Sequence, residues 1–140
     1  MKLFTPIKVG KMNLKNRIAM PAIHHCYTAD GYVNERLIKY YEARAEGGAA
    51  LITVGGCTID QLGPGPMMIG LHDDSYIPGL TELAGRIKNS GAAAAAQLYQ
   101  AGRYTHSIMI GGKQPAAPSP IASRLTREMP REITLAEIEA

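Results

Sequence analysis

The sequence predicts an α/β fold built on a parallel sheet. Apolar strands alternate with amphipathic helices in the order strand, helix, strand, helix, strand, long loop, helix start. The second strand is apolar on both faces, which is typical of a parallel sheet covered by helices. Two architectures fit this right-handed βαβ alternation, a (β/α)8 barrel of about 250 residues and an open doubly wound sheet. No Gly-x-Gly-x-x-Gly motif follows the first strand, which disfavours a dinucleotide-binding sheet.

The first twenty residues predict a hairpin and one short strand. Apolar residues alternate over 7–9 and 12–14 on either side of Gly10-Lys11, and we expect this hairpin to act as a lid or plug. The apolar run 17–20 stops at Pro21, as a buried strand does.

Two strand–helix units follow. Asn34 is placed to cap a helix that runs to about Glu46 and ends at Gly47-Gly48. Residues 49–54 predict the doubly apolar strand, which runs into Gly55-Gly56.

The second helix follows a Pro/Gly-rich loop at 63–66. Its apolar residues Leu80, Leu83, Ala84 and Ile87 share one face, and it ends near Gly91. Residues 92–98 then predict a third strand. The proline-rich segment 115–120 predicts a stiff extended connector that covers the barrel.

The last clear signal is the Thr-x-x-Glu spacing of Thr134 and Glu137, a helix-opening capping box. A helix of one or two turns is not stable without a face to pack on. We therefore expect residues 1–140 to be the front part of a longer protein.

The composition is that of a globular protein, with 46% apolar and 19% charged residues. The 15 basic and 12 acidic residues are scattered along the sequence, and there is one Phe and no Trp. This pattern indicates neither a nucleic-acid groove nor a membrane surface.

The two cysteines, Cys26 and Cys57, lack CxxC spacing and follow predicted strands. A disulfide framework is therefore disfavoured, and a reducing cytoplasm fits best. Pro6 interrupts the N-terminus before an apolar segment develops, and no run reaches the roughly 18 apolar residues of a membrane helix. We expect a soluble protein that is not exported.

Function in both architectures gathers where parallel strands end. We therefore expect three segments to lie together at the carboxyl ends of the strands: 21–27, 55–57 and 97–103. Gln97 is the most informative residue, because a polar amide follows five alanines in a buried strand and needs a partner there. A carboxamide can pair with the donor–acceptor edge of a pyrimidine or flavin ring. Capping of the next loop is an equally open alternative.

The other candidates have competing interpretations. Gly55-Gly56 permits close approach of a flat ligand, but a tight strand exit is favoured. His24, His25 and Cys26 resemble a metal cluster, yet neighbours in an extended segment point to opposite sides, and no second cluster supports zinc. One histidine facing a pocket is favoured over a purely structural histidine. Arg103 suits either a phosphate clamp or a buried carboxylate partner, and we favour the structural role.

Tyr40, Tyr41 and Arg44 lie on the first helix, and we expect them to pack against the outside of the sheet.

Four segments, taken in order, resemble the Old Yellow Enzyme family: Leu3-Phe4-Thr5-Pro6-Ile7, Leu14-Lys15-Asn16-Arg17-Ile18-Ala19-Met20-Pro21, Gln97-Leu98 with Ala101-Gly102-Arg103, and Ala117-Pro118-Ser119-Pro120. The resemblance runs along all 140 residues. Within the family it is similar to the bacterial NADH:flavin oxidoreductases, the branch with 2,4-dienoyl-CoA reductase and 2-enoate reductase.

The resemblance implies a (β/α)8 barrel with non-covalent FMN, in which hydride passes from NADH or NADPH through the flavin to an activated C=C bond. By position it assigns the flavin-facing backbone to Pro21, Ala22 and Ile23. His24 matches a position, often Thr or Cys in relatives, that hydrogen-bonds near the reactive edge of the flavin and tunes its potential. Gly56 matches a small residue beside the ring, and Gln97 matches the amide that pairs with the pyrimidine edge of the ring. The substrate would be an enone or enoyl thioester, and the implied assembly is a homo-oligomer.

The sequence also departs from the family pattern. Relatives place a small residue and then Pro before Met or Leu, whereas this chain has Pro21-Ala22-Ile23, and Gln100 replaces a common histidine. The substrate-anchoring His-x-x-His or His-x-x-Asn pair and the proton-donor Tyr would follow a fourth strand beyond Ala140. The FMN phosphate site after strands seven and eight, and the branch's 4Fe-4S cluster and FAD, would also lie downstream.

Two alternatives remain open from the sequence. One is a catalytically silent barrel fragment that only self-associates through its open strand edges. The other is a phosphate-binding barrel without flavin.

Overall fold

A computed structural model describes residues 1–61 and 67–139. The predicted loop at 63–66 and Ala140 lie outside the described residues. The strands are β1 (Ile7–Val9), β2 (Met12–Leu14), β3 (Ala19–Met20), β4 (Leu51–Thr58), β5 (Ile69–Gly70), β6 (Ala93–Tyr99), β7 (Ala116–Ala117) and β8 (Arg131–Glu132), and the helices are α1 (Glu35–Glu46), α2 (Ile77–Asn89) and α3 (Leu135–Glu139). In the described part of the chain, no helix combines the length and apolar character needed to cross a membrane.

The central sheet is parallel and follows chain order. β4 pairs with β3 on one side and with β6 on the other, and the short β5 pairs with the carboxyl end of β4. α1 lies between β3 and β4 in the chain, and α2 lies between β4 and β6, so the predicted βαβ alternation is confirmed. β4 is longer than predicted, because it continues through Gly55-Gly56 to Thr58.

The helices cover one face of this sheet. Asn34 caps α1 as predicted, with its Oδ1 accepting a hydrogen bond from the Leu37 N–H at 3.0 Å. The helices and the strands bury one apolar cluster between them, which includes Leu37, Ile38, Tyr41 and Ala45 of α1, Leu83 and Ile87 of α2, and Ile52, Val54 and Cys57 of β4. The expectation that Tyr41 packs outside the sheet is thereby confirmed.

The β1–β2 hairpin lies at the amino ends of the parallel strands. Asn16, just after β2, donates from Nδ2 to the Gly48 carbonyl at 2.8 Å, and Gly48 leads into β4. The Lys15 ammonium group lies close to Gly91, which leads into β6. The hairpin therefore contacts the opposite end of the sheet from the predicted site.

Three short strands were not predicted. β5 pairs with β4, and β7 pairs in parallel with β8. Each has two residues, too few to show the alternation on which strand prediction depends. The segment 115–120 is therefore not simply an extended connector, because Ala116–Ala117 belongs to a sheet. The capping box is confirmed, with Glu137 N–H donating to Thr134 Oγ1 and Thr134 N–H to Glu137 Oε2.

A β-bulge interrupts the pairing of β4 with β6. Val54 pairs with Ala96 and Cys57 pairs with Leu98, so Gly55 and Gly56 together lie opposite the single residue Gln97. A bulge leaves a backbone group unpaired. Here the Gly55 N–H donates to the hydroxyl of the fully buried Tyr41 at 3.3 Å. The helix layer therefore supplies the hydrogen bond at the bulge.

Replacing Tyr41 with Phe should lower the free energy of unfolding by about 1–2 kcal/mol, because the buried Gly55 N–H would lose its acceptor. Urea denaturation followed by circular dichroism measures the change. The matched control is Tyr40→Phe, since no described residue hydrogen-bonds the Tyr40 hydroxyl. Equal losses in the two variants would contradict a specific role for the Tyr41 hydroxyl.

Candidate functional site

The bulge fixes which way Gln97 faces. Ile52 and Val54 belong to the cluster shared with the helices, and Ala94 packs against it. Ala96 lies on the same face, because it pairs with Val54. Successive strand residues alternate between faces. Gln97 therefore lies on the face opposite the helices, near the carboxyl end of the sheet. Its side chain is exposed, and none of the described residues hydrogen-bonds it.

The segment after β3 packs directly on the bulge. A Cβ built on Gly55 would lie 2.3 Å from the Ala22 Cβ and 3.1 Å from the Ile23 nitrogen, so only glycine fits there. The structure thus brings Ala22 and Ile23, with Pro21 directly before them, against the residues that oppose Gln97. The glycines form neither a turn nor a strand exit, so the favoured interpretation of Gly55-Gly56 is wrong.

Gly56 is covered by a residue that the sequence did not reveal as important. A Cβ on Gly56 would lie 2.2 Å from the Met68 methyl carbon and 3.5 Å from Tyr99 Cβ. Met68 is 6% exposed and packs where a side chain at Gly56 would stand. A flat ring reaches Gly56 only if Met68 changes rotamer, which its three rotatable bonds allow.

His24 and His25 face different surroundings, as expected for neighbours in an extended segment. The exposed His24 places Nε2 3.6 Å from Cys26 Sγ, and it lines a small cavity of about 10 Å³ together with Gly55 and Gly56. This space is too small for any cofactor in the present conformation. His25 lines the same cavity, but its ring packs against Tyr40 and Tyr41 of α1. In the described part of the chain, no three potential metal ligands of the His, Cys, Asp or Glu type come together.

His25 lies among tyrosine rings. Its ring centroid is 4.0 Å from that of Tyr40, 5.2 Å from Tyr27 and 5.5 Å from Tyr41. Its Nε2 is buried without a hydrogen-bond partner among the described residues. This burial lowers the pKa of His25, and the positive charges of Arg44 and His24 lower it further. The contacts with these three tyrosine rings hold the His25 ring in place.

Burial also affects two neighbours of the bulge. It raises the pKa of the Tyr41 phenol and raises the pKa of the Cys57 thiol to about 11. Both groups therefore stay protonated at neutral pH. Cys26 and Cys57 are not joined by a disulfide. Cys57 acts as an apolar core residue at the end of the bulge.

In the loop after β6, Gln100 has a local structural role and Arg103 is exposed. The Gln100 Oε1 accepts a hydrogen bond from the Gly102 N–H, so this amide shapes the turn. Arg103 is exposed and forms no ion pair with a described residue, its guanidinium carbon lying 5.6 Å from the Tyr104 ring centroid. The interpretation of Arg103 as a buried carboxylate partner is therefore wrong.

Sequence reasoning missed Tyr41, Met68 and Tyr99 as neighbours of the site. The bulge itself had a signal, because two glycines followed by Cys57-Thr58 continue an apolar strand, and glycine inside a strand often marks a bulge. Nothing in the sequence indicated that Met68 packs on Gly56.

The chain is similar to known proteins along almost its whole length. The sequence model of the NADH:flavin oxidoreductase / NADH oxidase family matches residues 2–140. A metal reductase of Desulforamulus reducens is 52% identical over 99% of this chain and 21% of its own length.

Solved structures show the same fold. A 2-naphthoyl-CoA reductase in complex with 2-naphthoyl-CoA matches with a TM-score of 0.90 and 33% identity, over 99% of this chain and 23% of its own. Old Yellow Enzyme from a Pichia species matches with a TM-score of 0.87 and 25% identity, over 99% and 39%. This confirms the predicted N-terminal part of a (β/α)8 barrel and the resemblance to Old Yellow Enzyme. The chain spans less than half the length of these relatives.

His25 should make the fold sensitive to acid. Its pKa is lower in the folded than in the unfolded chain, so the unfolded state takes up a proton first as pH falls below about 6.5. His25 therefore contributes to the free energy of unfolding above this pH, and this contribution is lost on acidification. His25→Phe keeps the ring contacts but does not titrate, and should show a smaller fall in melting temperature between pH 7.5 and 5.5.

The matched control is His24→Gln, which removes an exposed imidazole beside it. This variant should keep most of the acid sensitivity of the unmodified chain, because burial, the largest cause of the lowered His25 pKa, is unchanged. An unchanged pH dependence in His25→Phe would contradict the assignment.

Proposed function

Because the chain belongs to the NADH:flavin oxidoreductase / NADH oxidase family, we propose that it is part of an FMN-dependent oxidoreductase using NADH or NADPH. The proposed reaction is reduction of the C=C bond of an α,β-unsaturated carbonyl compound or an enoyl thioester. Residues 1–140 would form the N-terminal portion of a single FMN-binding barrel domain. The activity belongs to the whole protein, of which this chain supplies one wall of the site.

The observation that carries this proposal is the pairing of the Gly55-Gly56 bulge with Gln97. Bulges in barrels commonly occur beside active sites, where they redirect a side chain. Here the bulge keeps Cys57 in the core while Gln97 stays on the inner face, close to the carboxyl end of the sheet. A carboxamide with no described partner is thereby presented next to the backbone of Ala22 and Ile23.

These residues fit one edge of a flavin. The Gln97 carboxamide offers both a donor and an acceptor to the pyrimidine edge of the ring. Backbone groups of 21–23 would meet the ring, and His24 would hydrogen-bond near its reactive edge. Flavin supplies hydride transfer between the nicotinamide and the activated double bond. The chain's own residues orient the ring and set the polarity around it.

The thioester substrate class has support from the similar structure of a 2-naphthoyl-CoA reductase in complex with 2-naphthoyl-CoA. We propose that the whole protein acts on an acyl thioester or a small enone, as a homo-oligomer. A 4Fe-4S cluster and FAD would be bound outside this chain. The spacing of Cys26 and Cys57 supports a reducing compartment such as the cytoplasm.

The proposal predicts that the purified chain, incubated with excess FMN and desalted, retains flavin absorbance in the visible range. Gln97→Ala should lower FMN affinity about tenfold, because a ring hydrogen bond is lost and ring groups are left unpaired. Gln97→Glu should also bind more weakly, since a carboxylate cannot donate. Absorbance and flavin fluorescence titrations measure both changes.

Leu98→Ala is the control, because Leu98 is the next residue of β6 and faces the opposite side. It should bind FMN like the unmodified chain. Equal FMN affinity in Gln97→Ala and in the unmodified chain would contradict the Gln97 assignment.

Self-association is a second candidate function, and the exposure of β6 favours it. Leu98 is 68% exposed on an apolar strand, and the only described strand that pairs with β6 is β4. An exposed apolar strand edge is a template for pairing with another chain. The expected result is a concentration-dependent dimer in sedimentation velocity, which Leu98→Lys weakens at least severalfold. A monomer at all concentrations would exclude this function.

A further inference from the structure

A separate pocket lies in the loops beyond β6. It is lined by residues 101–104, residues 117–119 and Ile121, and has a volume of about 360 Å³. That is within the range of roughly 300–1,000 Å³ typical of small-molecule sites. None of the residues assigned to the flavin lines it. We call it the loop pocket.

Local contacts hold the shape of the loop pocket. Gly102 adopts the left-handed backbone conformation (φ +57°), and its N–H is bonded by the Gln100 carboxamide. The opposite wall begins at β7, whose Ala116–Ala117 backbone pairs with β8. Thr126 Oγ1 donates to the Arg103 carbonyl at 3.3 Å and ties the turn to the following loop.

The lining combines apolar walls with one cation. Ala101 and Ala117 are buried, and Pro118, Ile121 and the Tyr104 ring add further apolar surface. Arg103 is the only charged residue of the lining. Such a surface suits a flat ring that carries an anionic group, because the ring can lie on Tyr104 while the guanidinium binds the anion.

Arg103 has no carboxylate to neutralise it among the described residues. Glu128, in the loop bonded to Arg103, already accepts hydrogen bonds from the Ser107 N–H and hydroxyl and contacts His106 Nδ1 at 2.8 Å. These contacts lower the pKa of Glu128, the bond from the Ser107 N–H most strongly. The free guanidinium is thus available to an external anion.

The surrounding loop strengthens the positive field. Residues 101–131 contain one acidic side chain, Glu128, against five basic ones: Arg103, Lys113, Arg124, Arg127 and Arg131. Arg131 pairs with Glu137, but no ion pair with a described residue neutralises the other four. Residues 101–131 therefore carry a local excess of positive charge, and residues 1–29, with five basic and no acidic side chains, carry another. A local excess of one sign raises the concentration of opposite-charge ligands nearby.

We propose that the loop pocket binds a nucleoside diphosphate group, with Arg103 on a phosphate and the base against Tyr104. This inference rests on the proposed function, because both nicotinamide dinucleotides and coenzyme A thioesters carry such a group. The loop pocket would then bind the part of the ligand that lies far from the reacting atoms. Binding there would orient the ligand without touching the flavin edge.

The experiment is calorimetric titration of ADP into the full chain without flavin. Arg103→Ala should weaken ADP binding about tenfold, and Arg103→Lys less, because lysine keeps the charge but loses the two-pronged contact. Arg124→Ala is the matched control, since it removes the same charge from an exposed arginine outside the pocket lining. It should change ADP affinity less than twofold. Melting curves verify that all variants are folded.

Several outcomes would overturn the proposal. These are no ADP binding, equal losses in Arg103→Ala and Arg124→Ala, or inorganic phosphate binding as tightly as ADP. Displacement of ADP by FMN would show one shared site and also refute it. A chain that binds ADP but retains no FMN would contradict the proposed function and not the loop-pocket proposal, because ADP binding is measured without flavin.

Discussion

The β-bulge at Gly55-Gly56 is the constraint on which the rest of the site depends. Without the extra residue, Cys57 would turn to the inner face of the sheet and leave the core. With it, β4 keeps Ile52, Val54 and Cys57 against the helices while Gln97 lies opposite two glycines on the other face. The Tyr41 hydroxyl satisfies the bulge backbone, so the helix layer and the site are linked by one hydrogen bond.

Two surfaces of different chemistry lie around the carboxyl ends of the strands. The inner face near Gln97 is built from backbone and a neutral amide, which suits an uncharged heterocyclic edge. The loops beyond β6 carry a local excess of positive charge and an exposed arginine. A ligand with a reactive end and a distant phosphate group could engage both surfaces at once, and each surface can be altered without touching the other.

The sequence was sufficient for most of the fold because its elements carry strong local signals. Asn34 and the glycines at 47–48 bound α1, and apolar residues at helical spacing mark α2. The capping box at 134–137 forms as predicted. Two-residue strands such as β7 have no periodicity to detect. The bulge, and the packing of Met68 on Gly56, depend on pairing between distant segments, which spacing along the chain does not encode.

The most direct test of this account is the NMR response of the chain to FMN. The Gln97 side-chain amide should shift together with the backbone amides of Ala22, Ile23 and Gly56, because the bulge places them on one surface. Amides of the β1–β2 hairpin, at the other end of the sheet, should not move. Shifts confined to other regions, with the Gln97 amide unchanged, would contradict the claim that the bulge builds a flavin-edge site.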